Sequence, residues 1–358
     1  MNRLKTAESI VFVGPDYKNH RGGIGAVLEV YERNVSPFKF IPSFQPSSSF
    51  GKIKIFVDSV FLFFSELLSD STIRIIHIHG SHGASVYRKL FFVVVGKFFF
   101  GKKIIYHLHS SSFNEYYTKG NFIYKWLCRN LINLPDIVIT LSPWWSAYVQ
   151  KSFSAKNVQI LNNVIEEKNR GRANRSIEPP LKVLFLGRIG DRKGVFDLLE
   201  VIALNKAAWV GKLAFIFGGD GEIERFTQCV QRERLEDLVN YLGWVTGEEK
   251  ERLLSEADIL VLPSYNEGLP ISILEAMGYG LPIISTNIGG IPEVVLDGQN
   301  GYIITPGDKK ELAGVISRYL QQPELTIKQG VKSLEMIKDF YPAAVFSRLE
   351  MIYDSLVK

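Results

Sequence analysis

Long apolar runs are missing from this chain. None reaches the ~18 residues that a bilayer-spanning helix needs, and the best candidate, residues 90–100, is interrupted by Lys97. The first apolar run, residues 10–13, is too short for a secretory leader and reads as a strand. Cysteine is scarce as well. Cys128 and Cys229 are the only two, and they fall in different expected domains, which leaves no disulfide framework and no thiolate metal site. Asp-x-Asp, a common acidic metal motif, does not occur, and no repeat or low-complexity tract stands out. The expected location is the cytoplasm.

What is present is a chain of 358 residues, 46% apolar and 22% charged, the composition of a globular protein. That length exceeds what one hydrophobic core supports, so two domains are expected. Charge divides unevenly between them. Residues 1–165 carry 19 Lys and Arg against 9 Asp and Glu, a net of +10, whereas residues 166–358 carry 23 against 28, a net of −5. The basic half is rich in phenylalanine, with Lys and Arg interleaved among aromatics at residues 87–92 and 96–103. Helices of that kind can lie in the headgroup region of an anionic membrane, so peripheral contact with the inner face of the cell membrane through the N-terminal domain is one expectation. The other is a buried core with lysines at its rim. No nucleic-acid module accompanies the charge, and no nucleic-acid partner is expected.

Short apolar runs alternate with helical stretches, the rhythm of βαβ units and parallel sheets. Strands are expected at 10–13, 38–41, 73–78, 103–108 and 136–141, with helices at 24–33, 53–68, 84–95 and 122–132. A second series opens at 181–186 and continues with strands at 213–217, 238–242, 258–262 and 282–285. Between the series lies a polar, charged stretch ending in Pro179-Pro180, which reads as a linker. The boundaries are a domain at 1–165, a linker at 166–180, a domain at 181–340 and a final helix at 341–358 with Val345, Leu349, Ile352 and Leu356 at helical spacing.

One segment carries most of the chemistry. After the strand at 258–262 come Pro263-Ser264-Tyr265-Asn266-Glu267-Gly268-Leu269-Pro270, and then a helix apolar almost all round that includes Glu275. Pro270 suits the first turn, where a missing N–H costs nothing. Two carboxylates with seven residues between them thus flank a loop-to-helix junction. A carboxylate such as Glu275 on so apolar a helix is costly unless a partner hydrogen-bonds to it, and a ligand is the expected partner.

From Pro263 to Met277 the segment resembles the donor-binding motif of the retaining glycosyltransferases of family 4, the glycosyl transferases group 1, and it continues with Gly280-Leu281-Pro282 and Gly289-Gly290. The resemblance implies the GT-B architecture: an α/β chain of two Rossmann-like domains facing a cleft, with a C-terminal helix crossing back to the N-terminal domain. It also implies that Glu267 contacts the donor sugar with the backbone amides of Gly268 and Leu269, and that Glu275 accepts bonds from ribose hydroxyls.

Further elements extend the likeness. Gly187-Arg188-Ile189-Gly190-Asp191-Arg192-Lys193-Gly194 resembles the family's G-R-x-x-x-x-K-G loop, which implies Arg188 and Lys193 on the donor diphosphate. Fixed cations there stabilise charge growing on the departing phosphate. The loop Gly218-Gly219-Asp220-Gly221 resembles the one lining the nucleotide pocket, with Gly219 and Asp220 toward the donor. Arg21-Gly22-Gly23-Ile24-Gly25 resembles the glycine loop facing the donor phosphate, and its helix N-terminus is a credible anion site. It lacks the spacing of a dinucleotide fingerprint.

Four histidines form two alternating pairs, His77/His79 and His107/His109, each on one strand face. With no Cys or carboxylate completing a ligand set, no metal site is expected. By resemblance His109 reaches the donor sugar and reaction centre. His107 is expected to be structural, while His79 and His82 are candidates for the acceptor side.

The implied activity is a metal-independent, retaining hexosyl transfer with no cofactor, from a nucleotide sugar (a UDP-sugar favoured) to a saccharide or lipid-linked saccharide acceptor in bacterial surface polysaccharide biosynthesis. Two alternatives stand beside it. A nucleotide-sugar epimerase shares the architecture but not the Glu267/Glu275 segment, and a non-catalytic nucleotide-sugar-binding protein would bind without turnover.

Overall fold

A computed structural model describes residues 7–18, 22–168 and 177–357. The chain divides into unit 1, Met1–Glu166 with Asp339–Lys358, and unit 2, Glu167–Lys338. Of the stretch expected as a linker, residues 169–176 lie outside the described residues, as does Arg21 of the first glycine loop.

Unit 1 alternates strand and helix: β1 (Ile10–Gly14), α1 (Gly23–Asn34), β2 (Lys39–Pro42), α2 (Ser49–Ser69), β3 (Ile75–Gly80), α3 (Ala84–Val94), β4 (Lys103–Leu108), α4 (Phe113–Lys119), α5 (Phe122–Asn133), β5 (Ile137–Thr140), α6 (Pro143–Ser152) and β6 (Val158–Ile160). Unit 2 repeats the scheme with β7 (Leu181–Leu186), α7 (Val195–Trp209), β8 (Leu213–Gly218), α8 (Ile223–Arg232), β9 (Val239–Tyr241), α9 (Gly247–Glu256), β10 (Ile259–Leu262), α10 (Ile271–Gly278), β11 (Ile283–Thr286), β12 (Gly301–Ile304), α11 (Lys309–Gln321) and α12 (Glu324–Met336). The last helix, α13 (Pro342–Val357), returns to unit 1.

Each unit holds one six-stranded parallel sheet, ordered β2-β1-β3-β4-β5-β6 and β12-β11-β10-β7-β8-β9. Central strands covered on both faces must be apolar throughout rather than alternating. Ile-Val-Phe-Val-Gly of β1 and Ile-Leu-Val-Leu of β10 are buried at every position. In both sheets the chain leaves a central pair in opposite directions, β1/β3 in unit 1 and β7/β10 in unit 2. Such a reversal opens a crevice at the carboxyl ends of the strands, the place where α/β sheets hold ligands.

The expected strands all form, within a residue or two at their ends. Each sheet gains a sixth, unforeseen edge strand, β6 and β12. Both are short: β6 is half-buried throughout with Gln159 at its centre, and β12 opens on Gly301. Helix α2 begins at Ser49 rather than residue 53 because the Ser48 hydroxyl caps it, accepting from the Gly51 amide at 3.1 Å. Helix α3 ends in a π turn, Val95–Phe99.

Helix α13 buries Val345, Phe346, Leu349, Ile352 and Tyr353. Phe346 meets the Tyr31 ring of α1 edge to face, with centroids 5.0 Å apart. The Tyr353 hydroxyl lies 2.6 Å from His77 Nδ1 inside the β-sheet core. Replacing Tyr353 by Phe leaves that ring nitrogen buried without a partner, at a cost of about 1–3 kcal/mol. Urea unfolding of Tyr353→Phe is expected to show a lower midpoint at unchanged slope.

Candidate functional site

In unit 2 the crevice between β7 and β10 holds an ion pair. Lys193, in the turn after β7, donates from Nζ to Glu267 Oε1 in the loop after β10. Both side chains are mostly buried, 12% and 7% exposed. At such burial each charge depends on the other, because desolvation penalises an isolated ion far more than a paired one. Arg192, which no sequence motif singles out, joins them. Its guanidinium lies 4.0 Å from Glu267 and donates to the Asn266 carbonyl at 2.9 Å.

Two glycines allow the loops to approach this closely. Gly194 has φ 68°, and a Cβ there would sit 2.0 Å from the Pro263 carbonyl oxygen. Gly289 has φ 54°, and a Cβ there would sit 2.0 Å from the carbonyl oxygen of Glu267 itself. Any side chain at either position would push the backbone bearing Glu267 out of place. The Gly290 amide then donates to the Gly268 carbonyl at 2.6 Å, fixing the loop that leads into α10. Gly268 and Leu269 are buried within that loop.

Arg188 is exposed and, among the described residues, forms no ion pair. It flanks the glycine loop after β8, its Cγ 3.1 Å from where a Cβ on Gly221 would lie. That loop is tied down: the Ile189 amide donates to the Asp220 carbonyl at 2.6 Å, and the Tyr241 hydroxyl donates to the Gly219 carbonyl at 2.8 Å. Arg188 and Lys193 therefore border different parts of the crevice, and only Lys193 reaches Glu267. Glu275, expected to await a ligand, already has a protein partner. Lys250 of α9 donates to its Oε1 at 2.6 Å. Lys250 carries no local mark of this role, since it sits in the charged helix Gly-Glu-Glu-Lys-Glu-Arg.

Unit 1 offers a different kind of cluster. Gly22 and Gly23 open α1 beside β1, and both are exposed. At the ends of β3 and β4, four imidazoles form two hydrogen-bonded pairs: His77 Nε2 to His107 Nδ1 at 3.3 Å, and His79 Nδ1 to His109 Nε2 at 2.9 Å. The pairs stack, with His77 on His79 at 4.4 Å and His107 on His109 at 4.0 Å between ring centroids. Ligating atoms of His77, His79 and His107 lie within 4.8 Å of one another. The rings of His77 and His79 are only 14° from parallel. Their in-plane lone pairs therefore run side by side instead of converging, which is poor geometry for a shared tetrahedral ion.

His79 departs from its expected acceptor-side position. Its ring is fully buried and faces His109. Each pair shares one proton between two facing nitrogens, so the tautomers of the two rings in a pair are coupled. His107 is buried against His77. His82 lies in the next loop, 2.5 Å from the Ser110 hydroxyl and ring to ring with Tyr116 at 4.3 Å. Lys89 of α3, a residue with no distinguishing sequence signal, is fully buried and donates to the Ser43 hydroxyl. Burial first, and Arg88 second, holds its amine well below the usual lysine range.

Burial pushes the His77 and His109 imidazoles down to about 3 from the ordinary 6.5, with His109 adding to the effect at His77. Burial also holds His79 and His107 well below that ordinary value. The folded state thus refuses protons that the unfolded chain accepts. The stability these neutral rings confer is complete above pH 6.5 and declines as pH falls from 6.5 toward 3. Long-range 15N NMR is expected to show all four rings neutral at pH 5.5, while the thermal midpoint already declines there.

Residues 167–333 match the family model described as glycosyl transferases group 1. The chain is 28% identical over 276 residues to an uncharacterized 41.2 kDa protein in the cps region of Klebsiella pneumoniae, covering 74% of each. It is 30% identical over 195 residues to the amylovoran biosynthesis glycosyltransferase AmsK of Erwinia amylovora, covering 52% of this chain and 48% of that relative. Among solved structures, HepE of Anabaena in complex with UDP superimposes with a TM-score of 0.75 at 18% identity, over 97% of this chain and 100% of that one. At that identity the likeness speaks for the fold, two parallel-sheet domains of GT-B type. The segment that matches the family model, residues 167–333, is just under half of the chain and is built on that fold.

Proposed function

We propose that the chain transfers a sugar from a nucleoside-diphosphate sugar to an acceptor hydroxyl with retention at the anomeric carbon, without a metal, in the assembly of a bacterial surface polysaccharide. The observation that carries this reading is the Lys193–Glu267 pair in the strand-reversal crevice, with Arg192 beside it. A near-buried carboxylate next to cations suits a ligand with both hydroxyls and a diphosphate. Glu267 accepts from sugar hydroxyls. Lys193, Arg188 and the amides that open α10 meet the phosphates. Glu275, steadied by Lys250, accepts from ribose hydroxyls. His109 is assigned to the reaction centre and His82 to the acceptor side, and His79 acts only through His109.

In the reaction, the bond from the anomeric carbon to the phosphate oxygen breaks and a bond from that carbon to the acceptor oxygen forms on the same face. The acceptor proton passes to the departing phosphate oxygen. The protein's part is to stabilise the charge growing on that oxygen with groups already in place. The UDP bound in HepE favours uridine as the base, and the relatives from a cps region and from amylovoran synthesis favour a polysaccharide product. A lipid-linked saccharide is the proposed acceptor.

Two measurements test the reading. Lys193→Ala and Glu275→Ala are each expected to lower turnover by about 10²–10³ while the circular dichroism spectrum is unchanged; near-normal rates in both would overturn the assignments. In thermal shift, UDP and UDP-sugars are expected to raise the midpoint more than their GDP and ADP counterparts, because ligand at about 100 times its Kd adds about 2.7 kcal/mol.

A further inference from the structure

Helices α2, α3 and α5 cover one face of the unit 1 sheet, and their outward sides are not polar. In α2, Phe50, Ile53, Val57, Phe61 and Leu68 are all exposed, Phe50 to 79% and Phe61 to 72%. Their spacings of three, four, four and seven residues place them on one narrow stripe along a helix about 30 Å long. The buried side of the same helix is separate, formed by Ser59, Phe63 and Leu67.

The stripe borders α3. Phe56 meets the Phe91 ring at 5.7 Å and Phe64 meets Phe100 at 5.5 Å, so the two helices lie side by side. Along α3 and its π turn the outward positions Tyr87, Phe91, Val94 and Phe98 are apolar again, with Tyr87 and Phe98 exposed. Tyr87 adjoins Tyr124 of α5 at 6.1 Å, and α5 exposes Phe122, Ile123 and Trp126. Three neighbouring helices thus present one apolar sheet of side chains. Monomeric proteins rarely leave so much apolar surface without a use for it.

Charge identifies the occupant. Residues 49–133 hold 11 Lys and Arg against 4 Asp and Glu. Lys52 and Lys54 stand exposed in the first turns of α2, beside Phe50 and Ile53, and Lys119 stands exposed just before α5. A protein interface core is depleted of lysine, whereas aromatic stripes edged by lysine suit the headgroup region of an anionic bilayer. No helix among the described residues is long and apolar enough to cross a membrane, so the contact lies on the surface.

We propose that the outer face of α2, α3 and α5 docks flat on an anionic lipid bilayer, with aromatics inserted at headgroup depth and lysines at lipid phosphates. Phe50, Phe122 and Ile123 stand at or near the helix N-termini, the end of unit 1 that also carries His82 and His109. Docking there brings headgroup-anchored molecules to that edge. The surface belongs to unit 1 and the Lys193–Glu267 pair to unit 2, and vesicle binding is read without any sugar chemistry.

The test is co-sedimentation of the full chain with vesicles of phosphatidylcholine, with and without phosphatidylglycerol. Binding is expected to be at least roughly tenfold stronger on the anionic vesicles and to weaken with salt. Phe50→Ser with Phe61→Ser, and separately Lys52→Glu with Lys54→Glu, are each expected to lower it at least roughly tenfold. All four residues are exposed, so both variants should keep the wild-type melting transition and the UDP thermal shift. Equal partition onto both vesicles overturns the proposal, as does full binding by either variant. So does a wild-type dimer, seen by light scattering, that ignores vesicles and dissociates on Phe50→Ser with Phe61→Ser.

Discussion

Placing a carboxylate out of water at the reversal point of a parallel sheet is the constraint on which unit 2 depends. Glu267 is 8% exposed, and an isolated ion at that depth would neutralise or unfold its surroundings. Lys193 offsets the penalty, but only if two loops from non-consecutive strands meet within hydrogen-bond reach. That requirement explains the glycines. Gly194 lets the β7 loop run against Pro263, and Gly289 lets the β11 loop run against Glu267. The sequence therefore invests backbone flexibility around a charge pair that contributes little net stability by itself, since replacing such a pair by packed apolar residues is often neutral. The pair stands at the strand reversal, where α/β sheets hold ligands, and that position is why the proposed function gives it a chemical role.

Unit 1 meets the same low-dielectric interior with the opposite strategy. Four imidazoles, not a charge pair, fill the carboxyl ends of β3 and β4, and hydrogen bonds between rings satisfy one nitrogen of each, while Nε2 of His79 and of His107 stays buried without a partner among the described residues. The array stays neutral because Tyr31, Phe12 and Tyr353 enclose His77. Helix α13 supplies the last of these partners, so the C-terminal segment completes the core of the first unit. One consequence is coupling: the tautomer of His109 is tied to that of His79, a residue that no solvent reaches.

The outer helical layer of unit 1 answers to a third demand. Its inner side packs a continuous core of Phe63, Phe92, Leu131 and their neighbours, while its outer side stays apolar and is edged with lysine. A helix apolar on two sides is usually buried, and α2 is not. The excess phenylalanine of the first half is thereby split between a core that folding requires and a surface that folding does not.

Much of the architecture was legible in the residue pattern. Apolar runs at βαβ spacing gave ten of the strands, because a doubly covered parallel strand must be apolar throughout. The Glu267/Glu275 segment and the Lys193 loop could be singled out by their resemblance to family motifs, which are carried within single strand-loop-helix units and so are local properties. Edge strands β6 and β12 lacked an unbroken apolar run, because Gln159 interrupts the first and Gly301 opens the second. Partnerships were beyond the sequence. Nothing local tells Lys250 apart from the other charges of α9, or Arg192 from Arg188, yet packing gives Glu275 the first and Glu267 the second of those neighbours. The pairing of the two His-x-His strands also awaited the fold. Alternation fixed which face each ring occupies, but only the stagger of β3 against β4, and the arrival of α13 from the far end of the chain, decided which nitrogens meet.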